Sequence, residues 1–128
     1  MKQTAIIFIL VVVLSVVSIA YAAMRTSSAT GAAGIALTIA PGYAWNLREI
    51  RVHLSAAGDD ESFTATMDAG LGANYDTLLY SVNMSGVTSL VKTFSPPIEM
   101  SKTDEVDIAY TNTSTRTYGI EVKYNASH

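Results

Sequence analysis

The chain contains no cysteine, so neither disulfides nor thiolate metal sites can stabilise it. Charged residues are sparse at 15 %, and the formal net charge is −3 with acids and bases interspersed. A nucleic-acid partner is therefore not expected, because phosphate binding needs a basic patch. Only two histidines occur, His53 and the terminal His128, which leaves little material for general acid–base chemistry. Helical periodicity is missing after residue 24. No Gly-x-Ser-x-Gly elbow is present, and neither 31–34 (Gly-Ala-Ala-Gly) nor 70–72 (Gly-Leu-Gly) leads a strand into a helix as a phosphate loop would.

What the chain does contain begins at its start. Residues 3–24 form a charge-free run of 22, mostly Ile, Leu, Val, Phe and Ala. About 20 such residues in a helix cross the ~30 Å hydrocarbon core of a bilayer. Residues 1–24 therefore read as a membrane anchor, with Ala5, Ile9, Val13, Val17 and Ile19 inside the lipid. They equally fit a signal peptide: Lys2 supplies the charged start, and Ala20-Tyr21-Ala22 the small-x-small cleavage pattern. Either reading delivers the remainder to the far side of a membrane, as an anchored or a secreted domain. Residues 25–34, small, polar and glycine-containing, are expected to be a flexible linker.

From residue 35 the period is two, the mark of half-buried strands. Ile35, Leu37 and Ile39 alternate with small or polar residues until Pro41-Gly42. Trp45 and Leu47 share one parity, while Ile50, Val52 and Leu54 share the other. A β-bulge at Arg48-Glu49 reconciles the two sets. Phe63, Ala65 and Met67 define a further strand, as do Leu78, Tyr80 and Val82, and then residues 87–94. Pro96-Pro97 is expected to stop pairing, leaving a separate short edge at 98–100. Strands around Val106 and Ile108, and around Tyr118, Ile120 and Val122, close the chain. About eight short strands predict an all-β domain over residues 35–128: an antiparallel two-sheet sandwich, jelly-roll or immunoglobulin-like, preceded by one hydrophobic helix. Its expected core is Trp45, Leu47, Ile50, Val52, Leu54, Phe63, Ile108, Tyr118, Ile120 and Val122.

Residue types that carry chemistry do not converge. His53 lies between two core positions and so points to the wet face of its strand. Asp59-Asp60-Glu61 and the acids at 104, 105 and 107 lack calcium-loop spacing, although the turn at Asp59 has the oxygens for weak calcium binding. No catalytic residue, metal site or cofactor is expected. Asn83, Asn112 and Asn125 begin glycosylation sequons. Tyr43, Asn74 and Tyr75 fall at strand ends, where exposed aromatics suit sugar stacking or a protein contact.

Residues 41–55 (Pro-Gly-Tyr-Ala-Trp-Asn-Leu-Arg-Glu-Ile-Arg-Val-His-Leu-Ser) and 117–124 (Thr-Tyr-Gly-Ile-Glu-Val-Lys-Tyr) resemble small, mostly uncharacterised bacteriophage proteins. The resemblance spans most of 35–124 and implies a virion-type β-sandwich with no catalytic residues to transfer. With the hydrophobic start, it implies a non-enzymatic structural or assembly protein displayed from a membrane; in a membrane-containing virion it would link lipid to a protein shell. Other structural proteins and further copies of the chain are its expected partners. The alternative is a secreted binding module recognising glycans or a surface protein.

Overall fold

The computed structural model describes residues 23–127. The anchor positions Ala5, Ile9, Val13, Val17 and Ile19, the cleavage positions Ala20 and Ala22, and the terminal His128 lie outside them. Eight strands form two four-stranded sheets. They are β1 (Arg25–Gly31), β2 (Ile35–Ile39), β3 (Trp45–Leu54), β4 (Ser62–Asp68), β5 (Thr77–Asn83), β6 (Ser89–Met100), β7 (Glu105–Tyr110) and β8 (Tyr118–Ala126). One sheet has the order β1-β8-β3-β6 and the other β2-β7-β4-β5, and every strand pair is antiparallel.

The pairings β1 with β8, β2 with β7, β3 with β6 and β4 with β5 describe one long antiparallel ribbon folded over on itself. That is the wrapping of a jelly roll; an immunoglobulin sandwich would divide its strands differently between the sheets. Because the ribbon is folded, the loops segregate. Residues 40–44, 69–76 and 101–104 lie at the end where β1 starts and β8 finishes. Residues 32–34, 55–61, 84–88 and 111–117 lie at the other.

The core occupies the space between the sheets. Trp45, Leu47, Ile50, Val52, Leu54, Phe63, Ile108, Ile120 and Val122 are buried there, with Met84, Met100 and Val106. Tyr118 is partly buried and packs against this cluster. The pairing of β3 shifts register on both sides between Leu47 and Glu49, which leaves Arg48 as the bulged residue. Its guanidinium Nε donates to Asn125 Oδ1 at 2.6 Å. The bulge lets both parity sets of β3 face one core.

Two expectations are corrected. Residues 25–34 are not a flexible linker: Arg25–Gly31 forms β1, paired residue for residue with β8 from Tyr124 to Tyr118. Its side chains are too small to show an apolar alternation, and its order comes from ladder hydrogen bonds. Gly31 packs closely here: a Cβ would come within 3.1 Å of the Tyr118 hydroxyl, so the tyrosine would have to shift to admit one. Secondly, Pro96-Pro97 interrupts pairing as expected, but it does not split off a separate strand. Strand β6 runs on to Met100, with pairs Thr93 to Glu49 and Ile98 to Leu47 and no partner positions between. The prolines occupy that gap opposite Arg48 on an edge strand, where no ladder N–H is required.

Candidate functional site

The outer face of the β1-β8-β3-β6 sheet is built as three rows read across the strands. They are Thr30, Gly119, His53 and Ser89; then Ser28, Glu121, Arg51 and Val91; then Thr26, Lys123, Glu49 and Thr93. Alternation alone puts these residues outward, because their neighbours in sequence enter the core. Gly119 has open space where a side chain would stand, and the rows around it line a shallow hollow of about 460 Å³.

Three charges on this face cluster around Glu49. Glu49 pairs with Arg51, lies 3.8 Å from Lys123 Nζ, and accepts from Thr93 Oγ1 at 3.4 Å. The Arg51 hydrogen bond holds the Glu49 carboxyl below the usual carboxylate range. In the first row, His53 Nδ1 lies 2.8 Å from Ser89 Oγ. A nucleophile and base in that contact still need an acid on the second imidazole nitrogen and an oxyanion pocket shielded from water. Among the described residues, the hydrogen bonds of His53 stop at Ser89, and both side chains are exposed.

The loop acids are turned to separate partners. Asp59 accepts from the Ser114 hydroxyl, Asp60 from the Asn83 amide, and Glu61 from the Thr113 backbone N–H at 3.2 Å. Among the described residues, no three His, Cys, Asp or Glu side chains converge as a metal site would require. Two of the sequon asparagines are interior parts. Asn125 is bound to Arg48, and Asn112 ties two loops together, so neither offers its amide to a modifying enzyme. Asn83 is exposed.

The three expected contact residues share the end of the sandwich where β1 begins, yet they differ in exposure. Tyr43 is half-buried against the core, with the Arg25 guanidinium 5.7 Å from its ring centroid. Asn74 and Tyr75 lie in a short 3-10 turn, Ala73–Tyr75, and Tyr75 is 60 % exposed. Leu71, two residues before that turn, is 82 % exposed.

Asp104 is the residue that sequence reasoning missed, since it reads as an ordinary turn acid. Its carboxylate accepts from Ser101 N at 2.8 Å and from Gly70 N at 3.1 Å, and its carbonyl accepts from the Trp45 indole at 3.3 Å. Asp104 thus joins two loops and the central core side chain. Partial burial opposes ionisation of its carboxyl, but the Ser101 and Gly70 hydrogen bonds outweigh it and lower the pKa. A depressed folded-state pKa gives stability that is present above the unfolded value of ~3.9 and lost as pH falls through the folded one. Asp104→Asn should therefore cost about 1–2 kcal/mol at pH 7 and flatten the loss of stability below about pH 4. Urea denaturation followed across that range would measure both effects.

These features define an antiparallel β-sandwich with a polar outer sheet face and an apolar loop end. The sequence matches no protein-family model and no curated protein. Among solved structures, the chain is similar to the Yersinia pseudotuberculosis-derived mitogen, with a TM-score of 0.40 and 11 % identity over 82 % of this chain and 86 % of that chain. A likeness at that level carries no functional argument.

Proposed function

We propose that this is a non-enzymatic structural or assembly protein, held at a membrane by residues 1–24 and acting by contact with other structural proteins and with copies of itself. In a virion it would tie the lipid layer to the protein shell. The observation that carries this reading is the start of β1 at Arg25, directly after the charge-free run. A domain mounted on a membrane segment without slack suits a component of fixed geometry. The open, two-membered His53–Ser89 contact supports a role other than catalysis. Edge strands β1, β2, β5 and β6 each leave one side of their backbone available to neighbours.

Extraction of native membranes or particles with alkaline carbonate tests the reading. The full chain is expected to stay in the pellet. Recovery as a free soluble monomer would contradict it.

The hollow over Gly119 and the exposed Tyr75 favour a second reading, a secreted module that binds glycans or a surface protein. It requires cleavage after Ala22 and glycan-array binding by residues 23–128 that falls on Tyr75→Ala.

A further inference from the structure

The end of the sandwich at which β1 begins has a composition unlike the opposite end. Loop 40–44 has no charge. Loop 69–76 contains one acid, Asp76, turned back to accept from Ala69 N at 2.9 Å. Loop 101–104 contains Lys102 and the internally bonded Asp104. Outward-facing apolar side chains stand here instead: Leu71 at 82 % and Tyr75 at 60 % exposure, with Met24 at 57 % just beside them over the sheet face near Arg48 and Lys123. The four loops at the other end present Asp59, Asp60 and Glu61 against the single base Arg116.

Leu71 is held out by an ordered loop. Gly72 N donates to Ala69 O at 2.9 Å and Tyr75 N to Gly72 O at 2.9 Å. Gly70 lies so close to Thr103 that a Cβ would come within 2.1 Å of its Oγ1, and Gly72 has φ +116°. Both glycines serve to seat the loop on the 101–104 turn and to turn the chain at its apex. The side chain presented there is a leucine, with a tyrosine four residues on.

We propose that this end of the domain rests on the lipid surface, with Leu71 at the boundary between headgroups and acyl chains and Tyr75 at headgroup level. The inference rests on the membrane-anchored reading above and adds the orientation of the domain. Its argument is where the hydrophobic run ends: residue 24 adjoins Arg25, the first residue of β1, so this end is the one a spanning segment holds against the bilayer. An amphipathic surface at that level inserts leucine and places aromatic rings at the interface. The acidic loops at the opposite end then point away from the membrane.

The absence of native cysteine makes a clean experiment. Full-length Leu71→Cys and Ser114→Cys, each spin-labelled, would be reconstituted in phosphatidylcholine vesicles. Collision with oxygen and with a water-soluble nickel chelate would then be compared. The label at position 71 is expected to be severalfold less accessible to nickel and more accessible to oxygen than the label at 114. Equal, water-like accessibility at both positions in a chain that resists carbonate extraction would overturn the docking and leave the anchor standing. Dipolar broadening at position 71 without oxygen contact would assign the patch to a second copy and also overturn it. Release of the chain by carbonate would instead overturn the reading beneath.

Discussion

Trp45→Ala is expected to remove a large share of the domain's stability, about 3–5 kcal/mol. Trp45 is fully buried at the start of β3, between Met100 on β6 and Ala126 on β8. Its ring meets Tyr124 edge-to-face at 5.5 Å between centroids. Removing a buried tryptophan costs about 3–5 kcal/mol, from lost transfer energy and the void left behind. A domain of this size has only about 5–15 kcal/mol of stability in total. Trp45→Phe separates the contributions: it keeps most of the volume and strands only the Asp104 carbonyl, a loss of about 1–2 kcal/mol. Because Trp45 is the single tryptophan, both variants should be followed by far-ultraviolet circular dichroism during urea titration. A loss below about 1 kcal/mol for the alanine variant would show that the core does not depend on this ring.

The second large effect is at Asn112, 2 % exposed at the end of β7. Its amide nitrogen donates to Arg116 O at 2.8 Å and to Ala33 O at 2.9 Å, with Ala32 O at 3.3 Å. Its amide oxygen accepts from Arg116 N at 3.0 Å. One side chain thus joins the β1–β2 loop to the β7–β8 loop. Its φ of 52° lies in the left-handed region, which asparagine tolerates better than alanine. Ala32 and Ala33 are exposed, so water can reclaim their carbonyls; the Arg116 groups are less accessible. Asn112→Ala should therefore cost about 2–3 kcal/mol rather than the sum of every bond.

Asn112→Gly removes the backbone strain and should recover roughly 1 kcal/mol of that loss. Asn112→Asp keeps the acceptor for Arg116 N but sets a carboxylate against carbonyl oxygens, which raises its folded-state pKa. Its stability should be higher below the unfolded value of ~3.9 and fall as pH rises through the folded value, opposite in sign to Asp104. Thermal melts of the three variants at pH 4 and pH 7 would test this ordering; an alanine variant within about 0.5 kcal/mol of the parent would refute the role given to the side chain.

The strands that alternate large apolar with polar residues were legible, and the bulge at Arg48 followed from the parity change between Leu47 and Ile50. Strand β1 was not, because Arg-Thr-Ser-Ser-Ala-Thr-Gly has no apolar period and resembles a tether in composition. The continuation of β6 through Pro96-Pro97 was hidden for a related reason. Proline forbids a donated hydrogen bond, and only the partner strand shows that none is needed there. Tyr43 and Tyr75 were equivalent candidates in sequence; packing made one half-buried and left the other open.

Composition and alternation by themselves determined that the described domain is all-β, cysteine-free and centred on the large residues of β3, since period-two patterning follows from the geometry of a single strand. Only the tertiary structure decided the wrapping order, the incorporation of residues 25–31 into a sheet, and the gathering of Leu71, Tyr75 and the chain entry at one end. Those features depend on which strands pair across long stretches of chain, and no local pattern encodes that choice.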